Sequence, residues 1–118
     1  MTLHSYKELD LWKKSMDFVI SIYDISSLFP IAEKYGLVSQ IRRAAVSIPS
    51  NIAEGASRNN TKEFVQFLYI ANGSLSEIET QLEIAVRLNY VGEISIQVDH
   101  IKQIRKIMKG LINALKEK

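Results

Sequence analysis

Cysteine is absent from this 118-residue chain, which excludes disulfides, thiolate nucleophiles and thiolate metal sites. Proline occurs twice and glycine five times. With so few residues to punctuate the backbone, the chain must be built from few, long elements. Period-two alternation is missing, so strands are not expected. No apolar run approaches the roughly 20 residues that span a bilayer, and no membrane partner is expected. The opening MTLHSYKELD has neither the basic segment nor the apolar core of a secretory signal, so the expected location is cytoplasmic. The length suits a single domain, 1–118, with one core.

What is present is helical periodicity in four stretches, about 8–28, 34–56, 61–88 and 93–115. Ser5 and Glu8, and again Asn60 and Glu63, stand at capping-box spacing before the first and third stretches. Phe29-Pro30, the polar run Ser57–Asn60 and the segment Asn89–Gly92 separate the four. Apolar seams recur at four- and three-residue steps: Leu37, Ile41, Ala44, Ile48 and Ile52 in the second; Phe64, Leu68, Ala71, Leu75, Ile78, Leu82 and Ala85 in the third. The fourth has Ile94, Ile101, Ile104, Met108, Leu111 and Leu115. Such seams interlock, and short connections make neighbours antiparallel. The expected fold is all-α, an up-down-up-down left-handed four-helix bundle.

Two helices carry more than a seam. The first has one apolar stripe of Leu9, Trp12, Met16, Val19 and Tyr23 and a second of Leu11, Phe18, Ile22, Ile25 and Phe29. A bundle helix that is apolar over more than half its circumference points to a subunit interface, and the second stripe is the expected one. The second helix contains Pro49, which removes a hydrogen bond to the Ala45 carbonyl at a cost of about 3 kcal/mol. Asn51 and Glu54 are expected to satisfy polar groups freed there, or alternatively to cap a restarted helix, and Gly55 to close it.

Charge alternates along the chain, with net −2 over 1–33, +3 over 34–60, −2 over 61–91 and +3 over 92–118. Alternation of this kind serves pairing between neighbours, and Arg42 is expected to meet Glu79 or Glu83. Arg43 sits on the solvent face. Lys102, Arg105, Lys106 and Lys109, continued by Lys116, line one flank of the fourth helix and, with Arg43 and Arg58, are the candidate contacts to RNA or DNA phosphates. A solvated lysine face is the commoner meaning of such a row.

Catalytic constellations are wanting. The histidines are His4 and His100 alone, and no Glu-x-x-His pair or Gly-rich phosphate loop occurs. Neither an enzyme, a metal nor a cofactor is expected. The five tyrosines are scattered as packing residues would be.

YGLVSQIRRAAVSIPSNIAEG at 35–55, KEFVQFLYIANGSLSEIETQLEIA at 62–85 and the opening YKELDLWKKSMDFVISIY resemble the four-helix bundle proteins encoded in intervening sequences of bacterial 23S rRNA genes. The resemblance covers Arg42, Arg43, Pro49, Asn51, Glu54 and Gly55, then Ser76, Glu77, Glu79, Gln81 and Leu82. It implies a homopentamer, and it assigns no chemical role to these residues. The basic, pentameric accessory proteins of diversity-generating retroelements, which bind a reverse transcriptase and nucleic acid, look similar in fold. Two roles are therefore expected to compete: a nucleic-acid accessory protein and a protein-interaction scaffold.

Overall fold

A computed structural model describes residues 5–117. Helices α1 (Asp10–Ser26), α2 (Leu37–Ala56), α3 (Thr61–Arg87) and α4 (Ser95–Lys116) follow one another, with 3-10 turns at Tyr6–Glu8 and Ile31–Glu33. Among the described residues there is no strand. The α2–α3 pair is the most extensive, and α1–α2, α3–α4 and α1–α4 contacts close the ring. Cross-helix contacts fix the directions. Ser47 meets Ser74, whereas Gly55 abuts Phe64 and Phe67. Arg105 meets Glu79, whereas Lys116 meets Tyr69. Gln97 meets Ser21, whereas His100 meets Phe18. Numbers rise on one helix as they fall on its neighbour, so these pairs are antiparallel.

The seams of α2 and α3 are buried at every expected position. In α4, Ile101, Ile104, Met108 and Leu115 are buried, and Ile112 takes the place expected of Leu111, which packs at the margin. The first helix requires a correction. Leu11, Phe18, Ile22, Ile25 and Phe29, expected at a subunit interface, are at most 7% exposed and belong to the core. Ser15 completes their four-three spacing, and its hydroxyl donates to the Leu11 carbonyl at 2.7 Å. That internal bond lets a polar residue occupy a seam position without an unmet donor. The other stripe is the marginal one, with Met16 and Tyr23 both 40% exposed.

Helix ends follow local chemistry. Ser5 accepts from the Lys7 amide and caps the short turn Tyr6–Glu8, so α1 itself starts later, at Asp10. Asn60 accepts from the Glu63 amide at 2.9 Å and opens α3 as its spacing predicts. At the far end of α3, Asn89 takes the left-handed conformation (φ 61°), the Tyr90 amide returns to the Ala85 carbonyl and the Asn89 amide to that of Val86. These are the bonds of a Schellman motif. Arg42 does not reach Glu79 or Glu83. Its Nε donates to Ser26 Oγ at 2.8 Å and its Nη2 to the Tyr23 carbonyl at 3.2 Å, while the guanidinium lies 4.5 Å from the Tyr23 ring centroid. The C-terminal end of α1 is the negative pole of its helix dipole, and a cation placed there is favourable.

Pro49 sits inside an unbroken α2, so no second helix start exists. Asn51 Nδ2 donates to the Ser47 carbonyl at 2.7 Å, not to that of Ala45. Glu54 instead pairs with Arg58 at 3.0 Å. Gly55 does not close the helix; it is buried, and a Cβ there would stand 2.7 Å from Phe67 Cβ and 3.0 Å from Phe64 Cδ1. Its role is to let α2 and α3 approach.

Glu33 joins the two loops at one end of the bundle. Its carboxylate accepts from the Tyr90 hydroxyl at 2.7 Å and from the Leu37 amide, at the start of α2, at 3.1 Å. The Tyr90 bond, then the Leu37 bond, hold its pKa below the usual carboxylate value, and the bond to Glu33 raises that of Tyr90. A lowered acid stabilises above its unfolded pKa and loses that contribution as pH falls through the folded value. A raised tyrosine stabilises below its unfolded pKa and loses that as pH rises. Tyr90→Phe should therefore cost stability near neutrality and converge toward wild type only as pH falls through the folded pKa of Glu33, below the usual carboxylate value, or rises through that of Tyr90, above the usual tyrosine value. Urea midpoints across pH check this; a constant offset at every pH would refute it.

Candidate functional site

The basic flank of α4 divides on inspection of its partners. Arg105 is a clamp: Nε donates to Asn72 Oδ1 at 3.3 Å, Nη1 to Glu79 at 3.0 Å and Nη2 to Ser76 Oγ at 3.1 Å, all on α3. Lys116 donates to the Tyr69 hydroxyl at 2.7 Å. Arg58 pairs with Glu54 and stacks over Phe67 at 5.2 Å. Glu83 is held by Arg87 on its own helix. Lys102, Lys106 and Lys109 remain exposed, with no ion pair or side-chain hydrogen bond among the described residues. Lys102 and Lys109 lie three residues before and four after Arg105, so they share its side of the helix, toward α3. Arg43 is exposed on α2, apart from that row. The predicted set thus separates into three free ammonium groups on one face, three internally engaged cations and one isolated arginine.

A second surface lies on the opposite flank of α4, where it meets α1. An open groove of about 730 Å³ is lined by Ile20, Ile25, Leu28 and Ile96, with Asp17, Asp24 and Glu93 also bordering it. Ile20 is 61%, Leu28 67% and Ile96 65% exposed. Nearby in sequence, Ile31 and Tyr35 in the connection between α1 and α2 are almost fully exposed. Three exposed aliphatic side chains are thus gathered around one groove rather than scattered over the surface. Ile20 and Leu28 belong to neither apolar stripe read from the sequence of the first helix, and Ile96, at the start of α4 and off its apolar face, was missed as well.

At the other end of the bundle, Thr61, Lys62, Val65, Gln66 and Tyr69 of α3 and Leu115 and Lys116 of α4 enclose a groove of about 460 Å³. A small recess of about 60 Å³ is lined by Lys14, Asp17, His100, Gln103 and Ile104. His100 packs edge-on to Phe18 with ring centroids 6.1 Å apart, and its Nδ1 is buried without a partner; His4 lies outside the described residues. Among the described residues, no group of three or more His, Asp or Glu side chains converges as metal ligands would, and no helix is long and apolar enough to cross a membrane.

No curated protein matches the chain. The family model described as 23S rRNA-intervening sequence protein matches residues 7–113, which span all of α1, α2 and α3 and nearly all of α4. The four helices, the buried seams and this match agree with one another, and the chain belongs to the 23S rRNA-intervening sequence protein family.

Proposed function

We propose that this protein is a non-enzymatic building block that assembles with copies of itself through the α1–α4 face and acts by presenting surfaces. The observation that carries the reading is the exposure of Ile20, Leu28 and Ile96 around one groove. Covering a large aliphatic side chain contributes about 1.5–3 kcal/mol, so three per protomer are a substantial drive toward association. Wild type should sediment above its single-chain mass at micromolar concentration. The double variant Ile20→Asp, Ile96→Asp should fall to a monomer with its helicity intact. A monomeric wild type would sink the proposal.

A second reading, binding of RNA or DNA, is favoured by the free ammonium groups of Lys102, Lys106 and Lys109. They lie on the flank of α4 away from the α1 groove, so assembly would leave them open. Symmetry would then repeat the row and strengthen its local field beyond what a net charge of +2 per chain supplies.

A further inference from the structure

We propose that the groove between the first turns of α3 and the last turn of α4 holds one unstacked base of a single-stranded nucleic acid against Tyr69, with Lys62 and Lys116 beside its phosphates. The proposal rests on the nucleic-acid reading above and gives it a site. Its floor is apolar, made by Val65 and Leu115, which are 6% and 5% exposed. Lys62, Lys116, Thr61, Gln66 and the Tyr69 hydroxyl supply the polar lining, and among the described residues no carboxylate borders it. The volume of about 460 Å³ lies within the roughly 300–1,000 Å³ of ligand clefts.

Tyr69 is 44% exposed, so a ring face remains for stacking. Lys116 holds it in place, donating to its hydroxyl at 2.7 Å with the ammonium 5.3 Å from the ring centroid. An aromatic ring beside two cations is the pairing that single strands use, since every base has a π-face and every unit a phosphate. A duplex cannot offer that face, because its bases are stacked on one another. From Lys116 the helix leads back to Lys109 and Lys102 in steps of seven residues, about 10 Å each. The free lysines therefore continue the same flank and could follow the backbone of the strand leaving the groove.

Labelled oligo(dT), oligo(U) and a DNA duplex, titrated with the full chain over a salt series, test the idea. Single strands should bind with a steep salt dependence. Tyr69→Leu should weaken them roughly tenfold, within the range of base–aromatic stacking, while leaving duplex affinity unchanged. Tyr69→Phe, which keeps the ring and loses the hydroxyl, should bind nearly as wild type. Lys62→Ala with Lys116→Ala should also weaken single strands, and circular dichroism verifies that each variant is folded. Tighter binding of oligo(U) than oligo(dT), or the reverse, names the preferred kind of strand, and both support the site. Single-strand affinity unaffected by Tyr69→Leu overturns the groove proposal. If Lys102→Ala, Lys106→Ala and Lys109→Ala together still weaken every probe, the broader phosphate reading survives that result. Failure of wild type to bind any probe at low salt overturns both.

Discussion

Phe18→Ala should lower stability by about 3–5 kcal/mol, the cost of removing a buried ring and leaving a cavity. The side chain is completely buried and packs against His100 across the α1–α4 contact. Domains of this size are stable by about 5–15 kcal/mol in total, so the variant would be close to unfolding. Urea denaturation followed by far-UV circular dichroism measures the loss. Ile20→Ala, two residues along the same helix, removes an exposed side chain and should change the unfolding of the isolated chain by no more than about 0.5 kcal/mol. The contrast separates the two faces of α1. A Phe18 variant that kept its stability but altered assembly would return that residue to an interface.

Gly55→Ala and Gly73→Ala should move stability in opposite directions, although both glycines lie inside helices. Alanine is favoured over glycine in a helix interior by roughly 0.5–1 kcal/mol. Nothing lies within 4 Å of a Cβ at Gly73, so that gain should be realised in full. At Gly55 the new methyl meets Phe67 Cβ, which is fixed to the backbone of α3, and the Phe64 carbonyl at 3.3 Å. The two helices must separate, and overpacking of this kind costs about 1–3 kcal/mol. The net expectation is a loss of about 1 kcal/mol for Gly55→Ala and a larger loss for Gly55→Val, which adds volume without the propensity gain. Thermal melts of the three variants decide it; a stabilised Gly55→Ala would mean that α2 and α3 can part cheaply.

The bundle was legible because α3 carries an unbroken four-three run and α2 a nearly regular one, with Leu, Ile, Ala and Phe at the seam positions. In α1 the same run was hidden by Ser15. A hydroxyl at a seam position reads as solvent-facing until its bond to the Leu11 carbonyl is seen. With that position outside any seam read from the sequence, Leu11, Phe18, Ile22, Ile25 and Phe29 looked surplus to the core. Arg42 was misread because charge pattern gives the sign of a partner but not its chemistry: it ends on a hydroxyl and a carbonyl. The Tyr69–Lys116 contact joins residues 47 apart, and no local spacing announces it. Gly55 was noticed as a helix terminator, since a glycine near a helix end usually is one. Only the neighbouring helix reveals that it is a point of close approach.

The close contact at Gly55, with Ser47 and Ser74 touching at 2.6 Å further along, makes α2 and α3 an inner pair with little freedom to vary. The outer helices differ in this respect. Both α1 and α4 anchor one stripe to that pair and carry, on their other faces, the isoleucines of one groove and the free lysines. A lineage could therefore rewrite what the molecule touches by drift on the outer helices while the inner pair stays constant. Relatives sharing one fold would then be expected to diverge in partner before they diverge in architecture.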